Sequence, residues 1–239
     1  MPNVAAGDFP TASVEWPSAV RIIRSLYPPI DLFEDIADPA DWALLLSAEQ
    51  KTNPRLMETI GNLDLVAPEH RVGGAGASYL MAPFTHVSTD RPSRFSDGTY
   101  GVLYVGDRFE VALMETIHHH ERFMRATEEK PGWTSQFREI LLSVTADLVD
   151  LRHVEAPDLL DRDDYGAAQG FARALRLQQA EGIAYPSQRY EGGDCAALFR
   201  PNLASAPRQG RHLDYHWNGQ KVDFIRDAGS GAVYRIDRT

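Results

Sequence analysis

The stretch that decides the fold is 94–115, RFSDGTYGVLYVGDRFEVALME. Its order is polar turn, strand, polar turn, helix. Gly98 and Gly101 bracket the first turn. Residues 101–106 (GVLYVG) form a short apolar run between glycines, which suits a buried strand. Asp107 stands where an N-cap is wanted, with Glu110 three residues on as in a capping box. Phe109, Ala112, Leu113 and Ile117 follow at helical spacing and give the helix an apolar face. Tyr104 falls near the end of the strand, and Glu115 two turns into the helix among apolar neighbours. A carboxylate there is either solvated on the far face or retained for chemistry.

Before this unit the chain reads differently. Residues 1–16 (MPNVAAGDFPTASVEW) are small, polar and proline-broken, which predicts a mobile tail. Residues 17–66 read as a helical extension. Val20, Ile22, Ile23 and Leu26 set a helix that Pro28 and Pro29 stop. Asp38-Pro39 starts a second helix carrying Trp42, Leu45 and Leu46 toward Asn53-Pro54, and Leu56, Ile60 and Leu63 continue helically. Residues 67–239 hold the remainder. Residues 70–88 (HRVGGAGASYLMAPFTHVS) read as strand and irregular structure. Further strands are expected over 137–149, 182–187, 196–199 and 232–236, with a helix over 163–181. Asn218-Gly219 is a hairpin turn between alternating residues. Helices first, then mostly strands with two inserted helices, make the class α+β.

Composition narrows the function. The chain has 239 residues, 43% of them hydrophobic, enough for a substantial core. A formal net charge of −10 argues against nucleic acid as the direct partner and suits a basic protein partner. The single cysteine, Cys195, has no intramolecular disulfide to make and lies in an apolar run, as a buried structural thiol would. No apolar run approaches transmembrane length, and the first twenty residues lack a signal's basic start and apolar core. A cytoplasmic protein without a membrane partner is expected.

Each candidate site has a plainer reading beside it. His118-His119-His120 invites a metal, but successive helical residues point about 100° apart and cannot share one ion. No metal is expected. His118 and His119 do stand at i+3 and i+4 from Glu115 and can share its face. Gly73-Gly74-Ala75-Gly76 lacks the P-loop pattern and reads as a turn. Arg71 beside it suits a diphosphate, since a guanidinium is bidentate and always charged. Ser187 lacks a nucleophile elbow and reads as a polar turn after a strand.

RFSDGTYGVLYVGDRFEVALMET followed by HHHERF resembles the core motif of the RES-domain family. DDYGAAQGFARALR, GIAYPSQRYEGGDCAALFRP and RQGRHLDYHWNG resemble its later blocks, so the similarity covers about 68–220. The resemblance implies a fold with an ADP-ribosyltransferase-like β core, flanking helices and NAD as substrate. It also implies a toxin paired with an Xre-type antitoxin. Arg71 matches the arginine opening the family's core, Arg94 that of the RF/RW motif, and Tyr104 the strand tyrosine. Glu115 matches the glutamate and Ser187 the serine of the Y-P-S block. Where many relatives carry asparagine after the paired glycines, this chain has Asp194-Cys195.

The residue chemistry is compatible with that implication. Cleaving the nicotinamide–ribose bond passes through an oxocarbenium-like state with a leaving group that needs no general acid. A carboxylate such as Glu115 can hold the ribose hydroxyls and oppose the developing charge. Arg71 and Arg94 are diphosphate clamps, Tyr104 a stacking surface and Ser187 a hydrogen-bond partner. ADP-ribose would pass to water, phosphate or a protein. Two other readings stand beside this one. A carboxylate-pair hydrolase of nucleosides or glycosides would need a second acid near Glu115, from Asp97, Asp107 or Glu110. A non-catalytic binding module would use Glu115 and the arginines as a structural ion-pair network.

Overall fold

The structure, a computed structural model, describes residues 9–36, 38–49 and 56–236. Its strands are β1 (Thr11–Arg24), β2 (Leu103–Gly106), β3 (Trp133–Asp150), β4 (Gly182–Pro186), β5 (Asp194–Leu198), β6 (Ala204–Trp217), β7 (Val222–Asp227) and β8 (Val233–Arg235). Its helices are α1 (Trp42–Glu49), α2 (Leu56–Ile60), α3 (Ala77–Thr85), α4 (Phe109–Arg125) and α5 (Gly166–Leu177), with short 3-10 and π turns between them. The strands form one sheet ordered β1-β2-β5-β4-β3-β6-β7-β8. β1 also pairs with β3, so the pairing of the first five strands closes on itself. β3 and β4 run parallel, and the other neighbours are antiparallel. The class is α+β, as expected.

Three apolar clusters fix the layers. Leu103, Val105, Leu142, Val144, Ala184, Ala196 and Leu198 pack with Phe33, Trp42 and α3 on one side of the sheet. Ile183, Tyr185, Cys195 and Ala197 pack with Phe95 and with Phe171 and Leu175 of α5 on the other. Ala112, Leu113 and Ile117 of α4 cover Val20, Ile22, Phe137, Leu213 and Tyr215. α4 thus lies across the junction of β1 with β2, where Val20 pairs with Gly106. That position brings the middle of α4 next to the ends of β4 and β5.

The sequence expectation fails at β1. Residues 11–16 are strand rather than mobile tail, while 1–8 lie outside the described residues. Val20 to Arg24 is strand rather than helix. Val20 and Ile22 face α4 while Ala19 and Ile23 join the opposite cluster, so both faces are apolar and no alternation shows. The β-branched Val-Arg-Ile-Ile run suits this strand. Pro17 sits where the register with β3 shifts between Trp16 and Ala19, a place that tolerates a missing N–H. The end of the helix expected before Asn53-Pro54 lies outside the described residues.

The second correction is α3, which replaces the strand expected within 70–88. Gly76 opens it in the left-handed region at φ 81°, and the backbone N–H groups of Gly76 and Ser78 donate to the Glu34 carboxylate at 2.7 and 3.2 Å. The glycine turn therefore cradles an anion, but the anion is the chain's own. A third correction is local. α4 begins at Phe109 with Arg108 as N-cap and no side-chain cap, because Asp107 pairs with Arg108 at 2.7 Å instead.

Candidate active site

Two glycines let α4 approach the sheet. A Cβ at Gly106 would press on the backbone of Ala112, and one at Gly193 would run into Val111. Val111 stands one helical turn before Glu115, so the loop joining β4 to β5 lies on the Glu115 face of α4. That loop is closed by Ser187 N–H donating to Gly193 O at 2.8 Å.

Ser187 then fixes Glu115. Its Oγ accepts from the N–H groups of Arg189 (3.2 Å) and Tyr190 (3.0 Å) and donates to Glu115 Oε1 at 2.7 Å. With both lone pairs occupied, the one hydroxyl proton has a single destination, the carboxylate. Cys195 Sγ stands 4.0 Å from the same oxygen. Glu115 Oε2 makes no hydrogen bond among the described residues. The half-buried carboxylate is thus anchored by one oxygen and open at the other.

Tyr104 and Arg94 stand nearby. Tyr104 Oη accepts from Phe95 N–H at 2.9 Å and pairs with Ser93 Oγ at 2.9 Å, and burial pushes its phenol well up. Arg94 is buried, donates to the carbonyls of Asp161 (2.5 Å) and Leu159 (3.5 Å), and lies 4.7 Å from the Tyr165 ring centroid. Tyr185 is the neighbour these groups share. Burial raises its phenol most, Cys195, Glu115 and Tyr104 raise it further, and Arg94 opposes them. The phenol is therefore neutral at physiological pH. Burial also pushes the Cys195 thiol well up, with Glu115 adding to it.

Arg71 does not join this group, which corrects its placement beside the other four. Its Nε donates to Val66 O at 3.0 Å, burial works against its charge with Asp64 and Glu69 only partly offsetting this, and one of its terminal nitrogens is buried without a partner. The 3-10 turn over Pro68–His70 folds Arg71 back on the preceding segment. Arg94, Tyr104, Glu115 and Ser187 converge.

Three further residues border the site. Arg21 of β1 donates to Tyr104 O at 3.0 Å, and burial pulls its guanidinium down to about 10 against the pull of Tyr104. Reading 20–26 as a helix hid it. His119 is exposed on the same face of α4 as Glu115, and the charges of Glu115, Arg189, Arg122 and Arg94 all act on it, so it stands among these groups. Its i+4 spacing from Glu115 was the available signal. Arg189 had none beyond its place after Ser187. His120 instead turns inward onto Phe137, with ring centroids 5.0 Å apart, while the His118 and His119 rings meet edge to face at 5.3 Å.

An α+β sheet with a serine-anchored glutamate on the helix crossing its strand ends defines the class of site. The RES domain model matches residues 68–218, and the chain belongs to the RES domain family. It is 25% identical over 213 residues, 88% of each chain, to the uncharacterized protein y4oC of Sinorhizobium fredii. Among solved structures it is similar to a chain of the M. tuberculosis MbcT-MbcA toxin-antitoxin complex. The identity is 12%, with 85% of this chain and 87% of that one covered at a TM-score of 0.43. Among the described residues no helix is long and apolar enough to cross a membrane.

Proposed function

We propose that the protein is the toxin of a toxin–antitoxin pair and consumes NAD as substrate, breaking the nicotinamide–ribose bond. The observation that carries this reading is the Glu115 carboxylate, held through one oxygen by Ser187 at 2.7 Å and open at the other. The free oxygen can accept a ribose hydroxyl and oppose positive charge as nicotinamide leaves with the bonding pair. Water, phosphate or a protein side chain then bonds to the anomeric carbon and releases its proton to solvent, and ADP-ribose leaves on that acceptor. Tyr104, its hydroxyl tied to the 93–95 loop, offers a fixed ring for stacking. Arg94 is the diphosphate clamp, exchanging its two carbonyl partners for phosphate oxygens on binding. Arg71 has no part in the cleft on this reading. Residues 67–239 form the catalytic unit of an ADP-ribosyltransferase-like core, with β1 completing its sheet, and an Xre-type antitoxin is the partner. No metal is required.

A nucleoside or glycoside hydrolase needs a second free acid at Glu115. Asp107 is held by Arg108 and Asp97 by Arg173, Glu110 stands about 140° around α4 from Glu115, and Asp194 projects from the opposite face of β5 to Cys195. Incubation with NAD labelled on the adenylate side, with and without cell lysate, tests the proposal. Free ADP-ribose or a labelled protein supports it, and intact NAD in both arms refutes it.

A further inference from the structure

The β4–β5 hairpin has two ends. Ser187 follows Pro186, which pairs with Asp194, and the opposite end is the pair Gly182 and Leu198. Four residue steps separate these pairs, about 13 Å of strand. At the far end, away from Glu115, lies a cavity of about 200 Å³. Val66, Phe84 and Phe199 make its apolar wall, and His70, Arg176 and Arg200 line it as well.

The arginines are incompletely matched. Arg176 stacks on Tyr100 at 3.8 Å and makes no hydrogen bond or ion pair among the described residues. Burial works against its charge, and Tyr100 and Asp97 only partly offset this. Asp97 is already engaged by Arg173 and by Thr99 at 2.6 Å. Arg200 reaches Glu181 at 2.6 Å through one terminal nitrogen, while its Nε is buried without an acceptor. The lining therefore offers one guanidinium without a hydrogen-bond or ion-pair partner, that of Arg176, beside the Arg200 side chain in a partly apolar cavity. A partly buried guanidinium is costly to leave unmet, and its planar fork fits two oxygens of a carboxylate or phosphate.

We propose that this cavity binds a small oxyanion, a carboxylate or phosphate on a compact apolar body, held between Arg176 and Arg200 with its apolar part against Phe84 and Phe199. The site is separate from the Glu115 group and does not depend on what that group does. Its volume is below that of drug-sized ligand pockets, so the ligand is no larger than a single ring with one anionic group.

The test titrates the full chain with benzoate, phenyl phosphate and neutral phenol, followed by calorimetry and thermal melts. Benzoate or phenyl phosphate should bind at millimolar concentration and raise the melting temperature, and phenol should not. Whichever anion binds more tightly identifies the group the site takes. Arg176→Met should weaken binding at least tenfold, as expected for loss of one charge-assisted pair. Gln179 lies exposed at the rim, so Gln179→Glu keeps the core intact and should weaken binding by repulsion even if Arg176→Met folds poorly. Glu115→Gln should bind like the parent. Failure of both anions to bind, binding unchanged in Gln179→Glu, or loss in Glu115→Gln would each overturn the proposal.

Discussion

Ser187→Ala isolates the contact on which the candidate site rests. The substitution removes the proton donor 2.7 Å from Glu115 Oε1 and the acceptor of the Arg189 and Tyr190 N–H groups. A hydrogen bond to a charged group contributes about 1.5–3 kcal/mol. If that contribution acts on the carboxylate in the transition state, about 1.4 kcal/mol per tenfold puts the loss in kcat/KM at about ten- to a hundredfold. The two N–H groups are only half-buried, so water replaces their acceptor at a stability cost of about 1 kcal/mol, a melting shift of about 2–4 °C for a chain of this size. Nicotinamide release measured beside a thermal melt separates the two effects. Activity within twofold of the parent would show that the Ser187–Glu115 bond does not serve the reaction. A large melting loss with unchanged activity would make it purely structural.

Arg94→Lys should raise KM and loosen residues 159–161, because an ammonium cannot meet the Leu159 and Asp161 carbonyls while stacking on Tyr165; faster amide exchange there is the readout. Glu34→Gln weakens the anion at the start of α3 and should cost about 1–2 kcal/mol in urea unfolding. His120 is 5% exposed, and burial, aided by Arg24, lowers its imidazole to about 4. Its unfolded form protonates near 6.5, so as pH falls from there toward 4 the unfolded state gains protons that the native state refuses, and stability drops. Between pH 7 and pH 5 this group should remove about 2 kcal/mol, and His120→Phe should abolish that part of the slope.

The parts of the fold legible in the sequence are those whose signals are local. β2 is bracketed by glycines, β4 and β5 are short apolar runs, and Asn218-Gly219 turns β6 into β7. β1 was illegible because apolar layers cover both its faces, which erases the period-two pattern. α3 was illegible because Glu34, its cap, lies 42 and 44 residues away from the N–H groups it binds. At the site, Glu115 and Tyr104 could be placed from the strand–helix unit, and Ser187 from the end of β4. Their mutual geometry could not, since the Ser187–Glu115 contact spans 72 residues. Arg71 was misplaced for the converse reason. Beside glycines that let backbone approach, its guanidinium suited a diphosphate, but the turn closes on Glu34 and the arginine on Val66.

The most direct measurement is nicotinamide release from NAD by the purified chain and by Glu115→Gln at equal concentration. The parent should release nicotinamide, and the variant should be slower by about a hundredfold or more, with a melting temperature within a few degrees of the parent. Release unchanged in Glu115→Gln, or no release and no labelled acceptor with the parent in lysate, would contradict the assignment of Glu115 to NAD chemistry.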